Sequence, residues 1–185
     1  MGENKEMTST GKIVITALFT ALIMVATIVI QIPLPFGYVN LGDVFVLLSV
    51  FLLGTTCSMI SAGLGSALAD LILGYAIYAP ASFVIKALMA LVASVVVLVI
   101  KKEIKNNIVP RVIAGIIAEF IMVLGYFFYD AVVLGYSWSA SASIVGNCIQ
   151  GVVGIFLSII IVSVLDRINL NKNITEEDKV EQNDN

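Results

Sequence analysis

The chain has 185 residues, of which 59% are hydrophobic and only 12% charged, with a formal net charge of −3. A soluble domain carries roughly 25% charged residues, so this composition points to an integral membrane protein with the lipid bilayer as its solvent. Histidine is absent, which removes imidazole general bases, His-ligated zinc and any serine or cysteine nucleophile that depends on an imidazole.

Residues 1–11 form a polar N-terminal tail. Apolar runs follow at 12–30, 41–54, 56–74, 80–100, 109–129 and 140–165. Each reads as a transmembrane helix, giving an all-α membrane domain over residues 12–167. A hydrocarbon layer of about 30 Å takes about 20 apolar residues, so the second run, of about 14, is short. It either extends outward to Tyr38 or forms the tilted half of a hairpin with the third. No small-residue cleavage site follows the first run, so it is expected to be retained as a span. No internal repeat is visible. Residues 168–185 are polar and poor in apolar side chains, which predicts a disordered tail. The excess of acids lies partly in this tail, so the net charge argues for no charged partner, and nothing suggests nucleic acid.

Basic residues set the orientation. Lys5 and Lys12 precede the first run, Lys101, Lys102, Lys105 and Arg111 separate the fourth from the fifth, and Arg167, Lys172 and Lys179 follow the sixth. Six spans with both termini in the cytoplasm place every one of these inside and leave Lys86 alone within a span. Cys57 and Cys148 then lie toward opposite faces, so no disulfide is expected between them.

Depth follows at 1.5 Å per residue. Lys86 is six residues past Pro80, roughly 9 Å into the outer leaflet. Asp70 lies near the outer end of the third span. Glu119, Tyr126 and Asp130, spaced by seven and four, share a face of the fifth, as Asn147 and Gln150 do on the sixth. Intramembrane polarity is thus concentrated in the outer half, which suggests a pocket open to the outside over an apolar floor. Each member also has a plainer reading. Lys86 either snorkels to the headgroups or meets Asp70, Glu119 or a ligand. Asp43, after "NLG", reads as a helix-start cap, and Asp130 as interfacial. Glu119 sits near mid-span with no route to water and reads as pocket-lining. Asn147 and Gln150 either serve the pocket or bond to neighbouring helices.

The outer loop "QIPLPFGYVNLGD" is stiff and aromatic, with Phe36 and Tyr38. It forms either a lid over the pocket, bringing Tyr38 and Asn40 to it, or an interfacial anchor, as do Tyr75, Tyr78, Tyr136 and Trp138. Ala17 and Ala21 in the first run, and Ser58, Ala62, Ser66 and Asp70 in the third, repeat at spacing four, a pattern that lets helices approach closely, within the chain or between chains.

No catalytic constellation is present: no paired carboxylates for metal-dependent transfer, and "STGK" at residues 9–12 lacks the upstream glycine spacing of a phosphate loop. The chain is not read as an enzyme, and no cofactor or metal is expected. A small chain with a one-sided pocket and no energy source suits a substrate-capturing subunit. A stand-alone secondary transporter, which commonly uses paired repeats, and a non-catalytic membrane scaffold are the alternatives.

The segments "GYVNLGDVFVLLSVFLLG", "GLGSALADLILGYAIYAPASFVIKALMALVA", "GYFFYDAVVLGY" and "GNCIQGVVG" resemble the substrate-binding S components of energy-coupling factor (ECF) vitamin transporters. The branch is the one associated with riboflavin, hydroxymethylpyrimidine and pyridoxine. The resemblance covers about residues 10–167. It implies six helices in a prokaryotic plasma membrane, and a vitamin site near the outer face built by helices four to six with the first outer loop. It also implies partners: a transmembrane scaffold subunit docking at Ala17 and Ala21, and two cytoplasmic ATPases. On geometry as much as likeness, the expected ligand contacts are Lys86, Glu119, Tyr126, Asn147 and Gln150, with Tyr38, Asn40 and Asp70. The aromatic, amide and carboxylate groups suit a small heteroaromatic vitamin, a pyrimidine or pyridine precursor before riboflavin.

Overall fold

In the computed structural model, residues 8–34, 38–102, 104 and 106–183 are described, with side chains through Ile168. Residues 1–7 of the expected N-terminal tail, Phe36, Lys105 and the side chains of Lys172 and Lys179 lie outside the described residues.

Six helices form the body: α1 Ser9–Val29, α2 Gly42–Leu53, α3 Thr55–Leu73, α4 Ala79–Ile100, α5 Ile108–Phe128 and α6 Ile144–Asn183. Five are long and apolar enough to cross a membrane, once the π-helical turn Tyr129–Val133 is counted with α5 and the 3-10 turn Ser137–Ser143 with α6. Their starts follow local chemistry. The Thr8 hydroxyl accepts the Gly11 N–H at 3.2 Å to cap α1, and Pro80 fits the first turn of α4, where its missing N–H is not needed. Glycines make the sharp joints: Gly54 (φ 81°) turns α2 into α3, and Gly74 (φ 83°) ends α3 in the left-handed conformation, its N–H returning to the Asp70 and Leu71 carbonyls.

Helix α2 differs from the expectation of a sixth full span. Its 12 residues cover about 18 Å, and it does not extend to Tyr38, which belongs to a strand. What it loses in length it gains in burial. Most of its residues are inaccessible, including Asp43, Val46, Leu47 and Ser49, because the helix runs through the middle of the bundle. It packs there most closely on α6, α1, α3 and α4, and reaches α5 through side chains. The core beneath it joins Val46 and Val50 to Met89, Ala93, Ala114 and Ala118. The small residues of α3 have an in-chain role: Ser58, Ala62, Ser66 and Asp70 are all buried. At Gly65 a side chain would lie 2.8 Å from the Thr20 carbonyl of α1, so the two backbones touch there.

Helix α6 continues past residue 165, where the apolar pattern stops, to Asn183. The segment expected to be a disordered tail continues α6, since extending an existing helix adds one hydrogen bond per residue without a new nucleus. At that end of the bundle Arg111 pairs with Asp166 at 2.5 Å, and its guanidinium lies 5.7 Å from the centre of the Phe51 ring.

Candidate ligand pocket

At the opposite end, the loop after α1 forms an antiparallel hairpin, β1 Gln31–Pro33 with β2 Tyr38–Asn40, pairing Gln31 with Asn40 and Ile32 with Val39. Two contacts clasp it to the bundle. The Tyr38 hydroxyl donates to Asp70 Oδ1 at 2.5 Å, and the Asn40 N–H donates to Gln150 Oε1 at 2.7 Å. Burial, with Asp70 beside it, holds the Tyr38 phenol far above its ordinary range, so the group donates and does not ionise. Gly146 lets the hairpin sit directly on α6, since a side chain there would collide with Leu34 and Val39.

Beneath the hairpin the polar side chains of α2, α4 and α6 interlock. Lys86 Nζ pairs with Asp43 Oδ1, and Gln150 Nε2 donates to Asp43 Oδ2, so both carboxylate oxygens of Asp43 are engaged. The ammonium also lies 5.6 Å from the centre of the Tyr126 ring, within cation–π reach. Tyr126 and Ser82 share a hydroxyl–hydroxyl bond of 2.8 Å. One side of the mouth is aromatic: Tyr38 contacts Tyr75 at 4.8 Å between ring centres, Tyr75 contacts Tyr78 at 6.4 Å, and Tyr78 contacts Tyr129 at 5.7 Å. Tyr78 and Ser143 both donate to Asp130, at 2.8 and 3.3 Å.

Several expectations need correction. The partner of Lys86 is neither Asp70 nor Glu119 but Asp43, which is fully buried and caps nothing: the residue before α2 is Leu41, which makes no side-chain cap bond. The snorkelling alternative falls with it, because the lysine is 3% exposed and points inward. Asp130 is also not interfacial. It is 1% exposed, in the π-helical turn that carries α5 outward. Glu119 is buried but does not line the cavity. It lies one layer deeper, against Asp43 and the glycines of α6, where a side chain at Gly151 would come within 2.9 Å of Glu119 Cβ. Neither of its carboxyl oxygens makes a close hydrogen bond, although the Asp43 side chain lies near enough to interact.

The other expected residues do come together: Tyr38, Asn40, Asp70, Lys86, Tyr126, Asn147 and Gln150 all line the cavity. Thr27, Ser66, Tyr78, Ser82 and Asp130 line it too without having been assigned to it. Tyr78 and Asp130 were visible in the sequence as an aromatic and an acid at a span end. Thr27 and Ser82 are small hydroxyls with no local signal. The free space is about 30 Å³, enough for one or two waters and far less than a vitamin.

The sequence profile of the family described as "ECF-type riboflavin transporter, S component" matches residues 7–167. The chain belongs to this family. It is the substrate-binding subunit of an ECF transporter, a multi-pass membrane protein of a transport family and not of an enzyme class. A protein of Pyrococcus woesei, described as an uncharacterized protein in the gap 3′ region, is 33% identical over 138 residues, 73% of this chain and 88% of that protein. Among solved structures, one reported under "Structure and mechanism of the S component of a bacterial ECF transporter" superposes with a TM-score of 0.67 at 22% identity. It covers 87% of this chain and 98% of its own. At that identity the likeness is one of fold.

Proposed function

We propose that this S component captures a small heteroaromatic vitamin or vitamin precursor on the outer side of a prokaryotic plasma membrane. It then delivers the ligand inward through a transmembrane scaffold subunit driven by two cytoplasmic ATPases. The observation that carries this reading is the position of the cavity. Its polar and aromatic walls lie under the hairpin at one end of the bundle, and the core beyond Asp43 and Glu119 is closed by Val46, Met89, Ala93 and Ala118. Among the described residues the site lies at one end over an apolar core, which favours a subunit that binds its ligand and relies on partners to move it over a stand-alone transporter.

The hairpin acts as the lid. With about 30 Å³ of free space, a pyrimidine or pyridine ring enters only if β1 and β2 lift. That movement breaks the contacts of Tyr38 with Asp70 and of Asn40 with Gln150. Ala17 and Ala21 are exposed on α1 and line an apolar groove of about 540 Å³ with Ile13, Met24, Ile60 and Leu64, a surface suited to the scaffold subunit. The test is mass spectrometry of the small molecule that copurifies with the protein, followed by uptake of that molecule with and without the partner subunits. A heteroaromatic vitamin whose uptake needs the partners supports the reading. Uptake by this chain alone overturns it.

A further inference from the structure

Asp70 holds an acceptor that the protein itself leaves unused. Its side chain is 3% exposed and lines the cavity. Tyr38 occupies Oδ1, while Oδ2 has no hydrogen-bond partner. The Ser82 hydroxyl lies near enough to interact with this carboxylate, although its close hydrogen bond is the one with Tyr126. A buried acceptor without a donor is costly, and in a binding cavity a ligand is the natural source of the missing donor. Thr27 Oγ1, also lining the cavity and 3% exposed, lacks a partner as well.

The charge around the cavity narrows the ligand further. Asp70 and Asp130 contribute carboxylates to the lining, and Lys86 contributes the only cation among the described lining residues. That cation is bound to Asp43, whose charge it balances. Glu119 adds a further acid one layer below. A phosphate ester placed here would meet carboxylates and no free ammonium or guanidinium. A ring with an amino group would meet an unfilled acceptor in a cavity that the rings of Tyr38, Tyr78 and Tyr126 also line.

Resting on the reading that this chain captures a heteroaromatic vitamin, we infer that the cavity selects a ring bearing an amino group. That group donates to Asp70 Oδ2, and the phosphorylated form of the same ring is rejected. Asp70 is thereby the residue that sets specificity, and Tyr38 is bound to the same carboxylate, so lid closure and ligand recognition meet at one side chain.

The experiment is calorimetric titration of the full chain in detergent, freed of copurified ligand. The probes are aminated hydroxymethylpyrimidine, its deaminated analogue with a carbonyl in place of the amino group, its phosphate ester, pyridoxine and riboflavin. The amino form is expected to bind about tenfold or more tighter than the deaminated form, the difference expected of one hydrogen bond to a charged group. The phosphate ester should bind weakest of the three pyrimidines, and Asp70→Asn should abolish the discrimination between amino and deaminated forms. Equal affinity for these two, tight binding of the phosphate ester, or discrimination that survives Asp70→Asn overturns the inference. Should Asp70→Asn fail to fold, the wild-type series decides alone. Binding of riboflavin or pyridoxine without the amino preference leaves vitamin capture standing and removes only this inference. Binding of no probe removes both.

Discussion

Lys86 of α4 and Asp43 of α2 form an ion pair inside the bundle, with side chains 3% and 0% exposed. They are 43 positions apart in sequence, and both charges are withdrawn from bulk water. Each therefore depends on the other, and with Gln150 they tie α2, α4 and α6 together directly under the cavity.

Removing one partner of a buried pair strands the other, at a cost of about 3–5 kcal/mol. Lys86→Met should lower the thermal unfolding midpoint in detergent sharply. Adding Asp43→Asn should recover much of the loss, because no charge is then left unpaired and Gln150 keeps an acceptor. An unchanged midpoint in Lys86→Met alone would show that the ammonium is not paired in the membrane protein.

Glu119 fits its niche by shape, against glycines of α6. Glu119→Gln keeps size and polarity and should fold. Gly151→Ala places a methyl group within 2.9 Å of Glu119 Cβ and should destabilise by about 1–3 kcal/mol, as overpacking does. Fluorescence-detected size-exclusion after heating compares the two. A Gly151→Ala protein as stable as wild type would mean that α5 and α6 are further apart.

Tyr38→Phe removes the hydroxyl that clasps the hairpin to Asp70. Hydrogen exchange at the Ile32, Val39 and Asn40 amides should accelerate, by about tenfold if the bond contributes about 1.5 kcal/mol. Exchange elsewhere in the bundle should not change. Equal rates in both proteins would show that the lid is held by other contacts.

Topology is accessible to labelling after Cys57 and Cys148 are replaced by serine, since both are free thiols. A cysteine at Tyr136 should react with an impermeant maleimide in intact cells, and one at Lys102 only after lysis. Labelling of Lys102 from outside would invert the arrangement.

Docking is tested by Ala17→Leu with Ala21→Leu, which fills the groove between α1 and α3. Copurification with the scaffold subunit should fall while ligand binding persists. Intact complex and intact uptake would place the docking face elsewhere.

Much of this protein was legible along the chain. Hydropathy marks five long helices and the short α2, because in lipid every backbone group must bond within its own helix. The polar residues that interrupt those helices mark most of the cavity, because an ionisable group in a bilayer must face the interior. Spacing on one helix is local, so Asn147 with Gln150 was readable as a pair. The partners across helices were not. Asp43 follows "NLG" at the start of an apolar run, and the same letters describe an exposed cap or a buried ion-pair member. Only the placement of α2 at the centre of the bundle, which results from the packing of all six helices, makes it the counter-ion of Lys86. Glu119 was identified as buried, but its depth below the cavity depends on the glycines of α6 that admit it. Thr27 and Ser82 had no signal of their own, since a single hydroxyl becomes part of a site only when distant helices close around it.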